Sequence, residues 1–296
     1  MMANPYSWQR PPRPHTLTYP DGSAFRASPD RTWFRALWAI ELSMASPAIL
    51  LPGWADIFPS VQLANSSVAP LTLSVVREAL RLLRFEHPIV SCRIACGPAV
   101  PGSPLPFGDP VLVYEAPESD ADIEAWLAEV VVDRSDALVA VEGDLHKAVT
   151  LVRRDIGVAL PAYRPAQLEV HCVLSSDGKR GGLVLRCGHA TFDGIGAFEF
   201  LDALVRKVAV VLERDTDATG IRPPLSWSQE VERLIGSVVD FARIPWAQGS
   251  GGEEHAMQRK LVDRLTRYAQ SVSPSVRTLI GADLGIGRPL SSHTPS

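Results

Sequence analysis

A chain of 296 residues, 46% hydrophobic and 21% charged, has the composition of an ordinary globular protein with enough apolar material for a sizeable core, which sets aside the disordered and fibrous classes. Its net charge of -4 gives no electrostatic pull toward nucleic acid or an anionic membrane surface, so a small molecule of neutral or mixed charge is the expected partner. No apolar run reaches the roughly eighteen residues of a membrane-spanning helix. The start, Met1-Met2-Ala3-Asn4-Pro5-Tyr6, lacks the basic-then-apolar layout of a secretory signal, so the expected location is cytoplasmic. The cysteines Cys92, Cys96, Cys172 and Cys187 are irregularly spaced, with no Cys-x-x-Cys pair, and read as buried hydrophobes in a reducing compartment.

In chain order, the proline-rich residues 1–30 are expected to form an extended arm over the surface. Trp33 to Leu51, closed by Pro52-Gly53, is mostly apolar and is expected to supply one or two buried strands. Leu73, Val76, Leu80 and Leu83 recur at helical spacing up to Glu86-His87-Pro88, and Val90, Cys92 and Ile94 then alternate as in a strand. A loop from Gly97 to Pro110 leads to a strand over Val111 to Glu115. Ser119 opens a helix with Ile123, Trp126 and Val130 inward, while Leu145 to Val158 has no clear period. The best-defined unit is a hairpin: Leu168, Val170, Cys172 and Leu174 alternate, Ser176-Asp177-Gly178-Lys179 turns, and Leu183, Leu185 and Cys187 alternate on the return. His189 continues that parity. Beyond Gly194 a long helix is expected with Phe198, Leu201, Val205, Val208 and Leu212 inward, followed by helices over about 226–242 and 254–272 and a frayed tail.

The mixture of helices with an antiparallel strand pair points to an α+β fold, a mixed and largely antiparallel sheet with helices packed on it. No dinucleotide fingerprint, Walker A sequence or Gly-x-Ser-x-Gly elbow occurs, which removes three common enzyme classes. What remains is the segment His189-Ala190-Thr191-Phe192-Asp193-Gly194 between the hairpin and the long helix. An imidazole there can take a proton from a hydroxyl or thiol near neutral pH and return it to a leaving group. Asp193 can hold the corner, either by pairing with an arginine or as the N-cap of the helix. Gly194 is expected to let the backbone turn where a side chain would obstruct, and the free amides of the helix start favour a nearby negative charge. Set against this stands a plain alternative, a half-buried histidine bonded to a neighbouring carbonyl beside a capping aspartate.

His-x-x-x-Asp-Gly between strand and helix resembles the signature of the CoA-dependent acyltransferase superfamily, which includes chloramphenicol acetyltransferase, plant BAHD acyltransferases, fungal alcohol and trichothecene O-acetyltransferases, and peptide-synthetase condensation domains. The helix Leu73 to Phe85 running into His87-Pro88-Ile89-Val90-Ser91-Cys92-Arg93-Ile94 is similar to an early element of two-halved members, so the landmarks cover about residues 34–213. The resemblance implies a chloramphenicol acetyltransferase-like two-layer sandwich over an acyltransferase-like domain at 31–215; composition and spacing set beside it an arm over 1–30, a helical extension over 216–275 and a disordered tail over 276–296. It implies His189 as general base toward an acceptor hydroxyl or amine on a small specialised metabolite, Asp193 as a structural residue, and Gly194 as room beside the substrate channel. Acyl-CoA would be a co-substrate, with no bound cofactor and no metal. His87 is read as a boundary residue.

Two-halved members place the histidine between two similar domains, whereas this chain offers about eighty residues after the motif helix, and Asp240-Phe241-Ala242-Arg243 lacks the glycines of the later BAHD element. The chain therefore resembles the N-terminal half, to be completed by a homo-oligomeric partner or a complementary second half, or else a catalytically impaired binding protein. A rival of another class is a metal site using Cys187, His189 and either His171 or Cys172, but His171 and Cys172 are adjacent in a strand and point to opposite faces.

Overall fold

The computed structural model describes residues 7–11, 15–20, 22–50, 56–97, 108, 110–158, 165–215, 225–227 and 229–236. The arm expected over the first thirty residues contains two strands, β1 (His15–Thr18) and β2 (Ala24–Ala27), paired antiparallel with each other. Between Trp33 and Leu51, where one or two strands were expected, the chain forms one strand, β3 (Thr32–Ala36), and then a helix, α1 (Ala39–Leu50). The switch has a local cause. Glu41 accepts the Trp38 backbone N–H at 2.9 Å, the returning half of a capping box, and binds the buried Arg35 guanidinium through both oxygens at 2.7 and 2.6 Å.

β4 (Asp56–Ile57) and β5 (Ser60–Ala64) precede α2 (Leu73–Glu86), whose expected apolar face is buried and whose first turn is capped by Thr72. The helix stops at the exposed His87, which sits in a non-helical conformation before Pro88 as the proline requires; this matches its reading as a boundary residue. Pro88–Ser91 is a 3-10 turn, so the strand expected to span Val90 to Ile94 starts later, as β6 (Arg93–Cys96). β7 (Pro110–Glu115), α3 (Asp120–Val130), β8 (Val131–Asp133), α4 (Asp136–Ala140) and α5 (Leu145–Val158) follow. Ile123, Trp126 and Val130 are buried, as the spacing predicts. The hairpin is β9 (Leu168–Leu174) and β10 (Arg180–Gly188), with Cys172 opposite Leu183 and Val170 opposite Leu185. Its turn carries Gly178 at φ 65°, where an added Cβ would lie 2.5 Å from the Pro70 Cβ, so both backbone and space demand glycine.

The long helix is α6 (Gly194–Asp215), and beyond it the described chain has a 3-10 turn at Glu230–Arg233 where a helix from 226 was expected. The helix expected over 254–272 and the tail lie outside the described residues. Among those described, no helix is long and apolar enough to cross a membrane.

The strands form two sheets. The first, in order β2-β1-β6-β7-β3, is antiparallel throughout; the second runs β4-β10-β9-β8 with β5 also on β10, and its β8–β9 pair is parallel. Helices α2, α3 and α6 cover one face of the second sheet in a cluster that includes Leu80, Leu127, Leu168, Leu185 and Leu204. Helices α4 and α5 cover the other, around Val149, Val152, Val173 and Val184. Burial on both faces explains why nearly every residue of β9 and β10 is inaccessible, beyond the alternation legible in the sequence. The first sheet packs its inner face on α1 through Leu37, Ala45, Ile94, Leu112 and Tyr114.

Candidate active site

The motif stands where the two cores meet. β10 ends at Gly188, and His189, Ala190 and Thr191 form a turn closed by Thr191 N–H and Phe192 N–H, both donating to the Gly188 carbonyl at 3.0 Å. Strand parity predicts His189 on the apolar face after Cys187, but the turn takes it off the strand, and it is half-buried outside the core clusters. The neighbours it was read past do the anchoring. Ala190 is 5% exposed and joins the cluster of the first sheet; Phe192 is 6% exposed, joins the cluster of the second, and meets Phe200 edge-on at 5.7 Å. The signal was present in the sequence as two apolar residues inside an otherwise polar motif.

The strand end is fixed from its partner as well. Gly188 N–H donates to the Gln167 carbonyl at 2.8 Å, and the Gln167 side chain lies so close that a Cβ at 188 would be 2.2 Å from its Oε1. Two residue pairs earlier, buried Arg186 binds Asp56 at 2.8 Å and the Ala166 carbonyl at 2.8 Å and approaches Glu169 at 3.2 Å, and Glu169 also meets His171 at 3.1 Å. This buried charge cluster ties β4, β9 and β10 together just before the turn. The sequence reading did not single it out, because charges paired across strands leave no local pattern.

Asp193 and Gly194 have plainer roles than the motif suggests. The exposed Asp193 carboxylate accepts Gly196 N–H at 2.6 Å, and its carbonyl accepts Ala197 N–H at 2.9 Å, which is N-capping of α6. It thereby occupies one of the helix-start amides. Gly194 is the first helical residue, lies outside the positive-φ glycines, and would place a Cβ with nothing within 4 Å; the expectation that a side chain there obstructs the backbone turn is corrected. Space beside it is open. Ile195 and Phe198, on the first turns of α6, are 73% and 61% exposed, so Phe198 is not the inward residue its spacing suggests, and Ala197 and Phe200 point inward instead.

The four cysteines are buried and none is in a disulfide. Burial pushes the Cys187 thiol up to about 12, and the Cys92 and Cys172 thiols are likewise raised by burial, so none is a ready thiolate. Among the described residues no group of three histidine, cysteine or acidic side chains is placed to hold a metal ion. A cavity of about 190 Å³ lies elsewhere, between the outer face of the first sheet and α3, lined by Tyr19, Arg31, Arg84, Arg93 and Trp126. Two of its arginines are already matched: Arg31 pairs with Glu115 and Glu118, and Arg93 with Glu129.

No family model matches the chain. In sequence it is 25% identical, over 190 residues, to the trichothecene O-acetyltransferase TRI3 of Trichoderma arundinaceum, a match that covers 60% of this chain and 34% of that protein. In structure it is similar to the TRI3 trichothecene 15-O-acetyltransferase of Fusarium sporotrichioides, with a TM-score of 0.56 at 19% identity, covering 81% of this chain and 44% of that one. The chain thus spans about a third to under a half of the length of these relatives. In sequence and in structure the chain is similar to trichothecene O-acetyltransferases, and it shares the fold of the part of them that it covers.

Proposed function

We propose that this protein transfers an acyl group from acyl-CoA to a hydroxyl, less readily an amine, of a small specialised metabolite, with His189 as general base. The observation that carries the reading is the turn itself. It spends Ala190 and Phe192 on the two cores and Asp193 on a helix cap, and leaves His189 half-buried. In the reaction, the imidazole accepts the acceptor's hydroxyl proton as the oxygen attacks the thioester carbonyl. Collapse of the tetrahedral intermediate breaks the C–S bond, and the imidazolium returns the proton to the departing thiolate of CoA. No resident cofactor is invoked, and acyl-CoA is a substrate.

A second reading, a half-domain that binds a ligand or a complementary partner without turning over, is favoured by the exposure of Ile195 and Phe198 beside the motif. Free-CoA release from acetyl-CoA with candidate alcohols separates the two. Positioned base catalysis contributes about 10²–10⁴-fold, so the acyltransferase reading expects a loss of that order in His189→Ala. Equal release by the variant contradicts the base role. No release by either protein supports the half-domain.

A further inference from the structure

We propose that Glu230 is a positioning residue, the buried anchor of a strap formed by the described residues between Leu225 and Gly236 that holds the two cores in the register fixing the His189 turn. This restraint on where the turn sits is independent of the chemistry of His189. Glu230 is 0% exposed although it lies in a short polar 3-10 turn, and burying a carboxylate is costly unless it is paired. Its Oε1 accepts the hydroxyl of the equally buried Tyr114, on β7, at 2.6 Å. The buried Arg84 guanidinium, stacked over Trp126 at 4.6 Å, supplies positive charge nearby; burial lowers its pKa, and Tyr114 and Glu230 partly offset this. Strap, first sheet and α2 therefore share one buried polar cluster.

The rest of the strap is tied on both sides of that anchor. Trp227 donates to Asp120 at 3.0 Å and meets Phe85 edge-on at 5.4 Å. Arg233 donates twice to the Phe85 carbonyl, at 2.9 and 2.6 Å, and Trp8 donates to the Ile235 carbonyl at 2.8 Å. The apolar contacts give the strap its consequence. Leu225 and Trp227 pack against the cluster that holds Phe192, whereas Val231 and Leu234 pack against the cluster that holds Ala190. The strap thus bridges, from outside, the same two cores that the motif bridges from within, and releasing it removes a restraint on the relative placement of Ala190 and Phe192.

The test uses the full chain without substrate, in two variants. Glu230→Ala removes the anchor; Tyr114→Phe, nearly isosteric, removes the hydroxyl alone and keeps the question answerable if the first variant does not fold. Amide hydrogen exchange reads the strap, and the His189 ring C–H resonance reads the turn, with His146 on the exposed face of α5 as the control. The expected result is exchange at least about tenfold faster at Gln229, Glu232 and Leu234, together with a shifted His189 resonance and an unmoved His146. A strap that stays protected in both variants, or one that opens while the His189 resonance stays in place, overturns the proposal.

Discussion

The β9–β10 hairpin and the first turns of α6 adjoin in sequence but are held by opposite means. The hairpin is buried on both faces, registered residue by residue, and locked at its end by Gln167, Arg186 and Asp56. The start of α6 has one capping bond, a glycine in open space and two exposed apolar side chains. The motif spans this boundary. Its first part inherits the rigidity of the sheet, and its last part faces space that the described chain does not fill. Under the proposed function, this would hold the imidazole in place while leaving room beside it for the substrates.

That contrast makes ordered predictions. The largest effect is expected at Phe192, where truncation to alanine removes a buried aromatic ring that meets Phe200; equilibrium denaturation should show a loss of about 3–5 kcal/mol. A loss near that of a surface substitution would mean that the turn is not anchored on this side. Asp193→Ala should cost about 0.5–2 kcal/mol, the worth of an N-cap, and Asp193→Ser should recover most of it. If serine recovers nothing, Asp193 does more than cap. The smallest effect is expected at Gly194, where alanine meets no neighbour and suits a helical position, so stability should change by no more than about 1 kcal/mol, in the favourable direction. Lost turnover at unchanged stability would then assign Gly194 to the substrate channel.

α3 shows clean helical spacing because a single side, Ile123, Trp126, Leu127 and Val130, is buried. α2 and the hairpin are buried more widely, and they are legible through the spacing of their largest apolar residues and, in the hairpin, through its turn chemistry. Where apolar residues fill a segment or distant partners decide it, the pattern fails. Trp33 to Leu51 is mostly apolar, so its period does not separate strand from helix, and Glu41 decides the matter through contacts with Trp38 and Arg35. The proline-rich arm hides β1 and β2 because strands of four residues are too short to show a clear alternation. At the site, residue types and order were legible, but the turn that takes His189 off the strand was not, because it depends on Ala190 and Phe192 entering different cores. Glu230 carried no signal at all: a glutamate in a polar run gives no hint of a buried tyrosine partner 116 residues away.

The most direct test of the central claim measures turnover and stability together in His189→Gln, a substitution that keeps a polar side chain of similar size in the turn while removing the base. Acetyl-CoA-dependent acylation, read as free-CoA release, is expected to fall by about 10²-fold or more while the unfolding free energy stays within about 0.5 kcal/mol of the parent. Turnover that persists in His189→Gln, or a loss of turnover that only tracks a loss of stability, would contradict it.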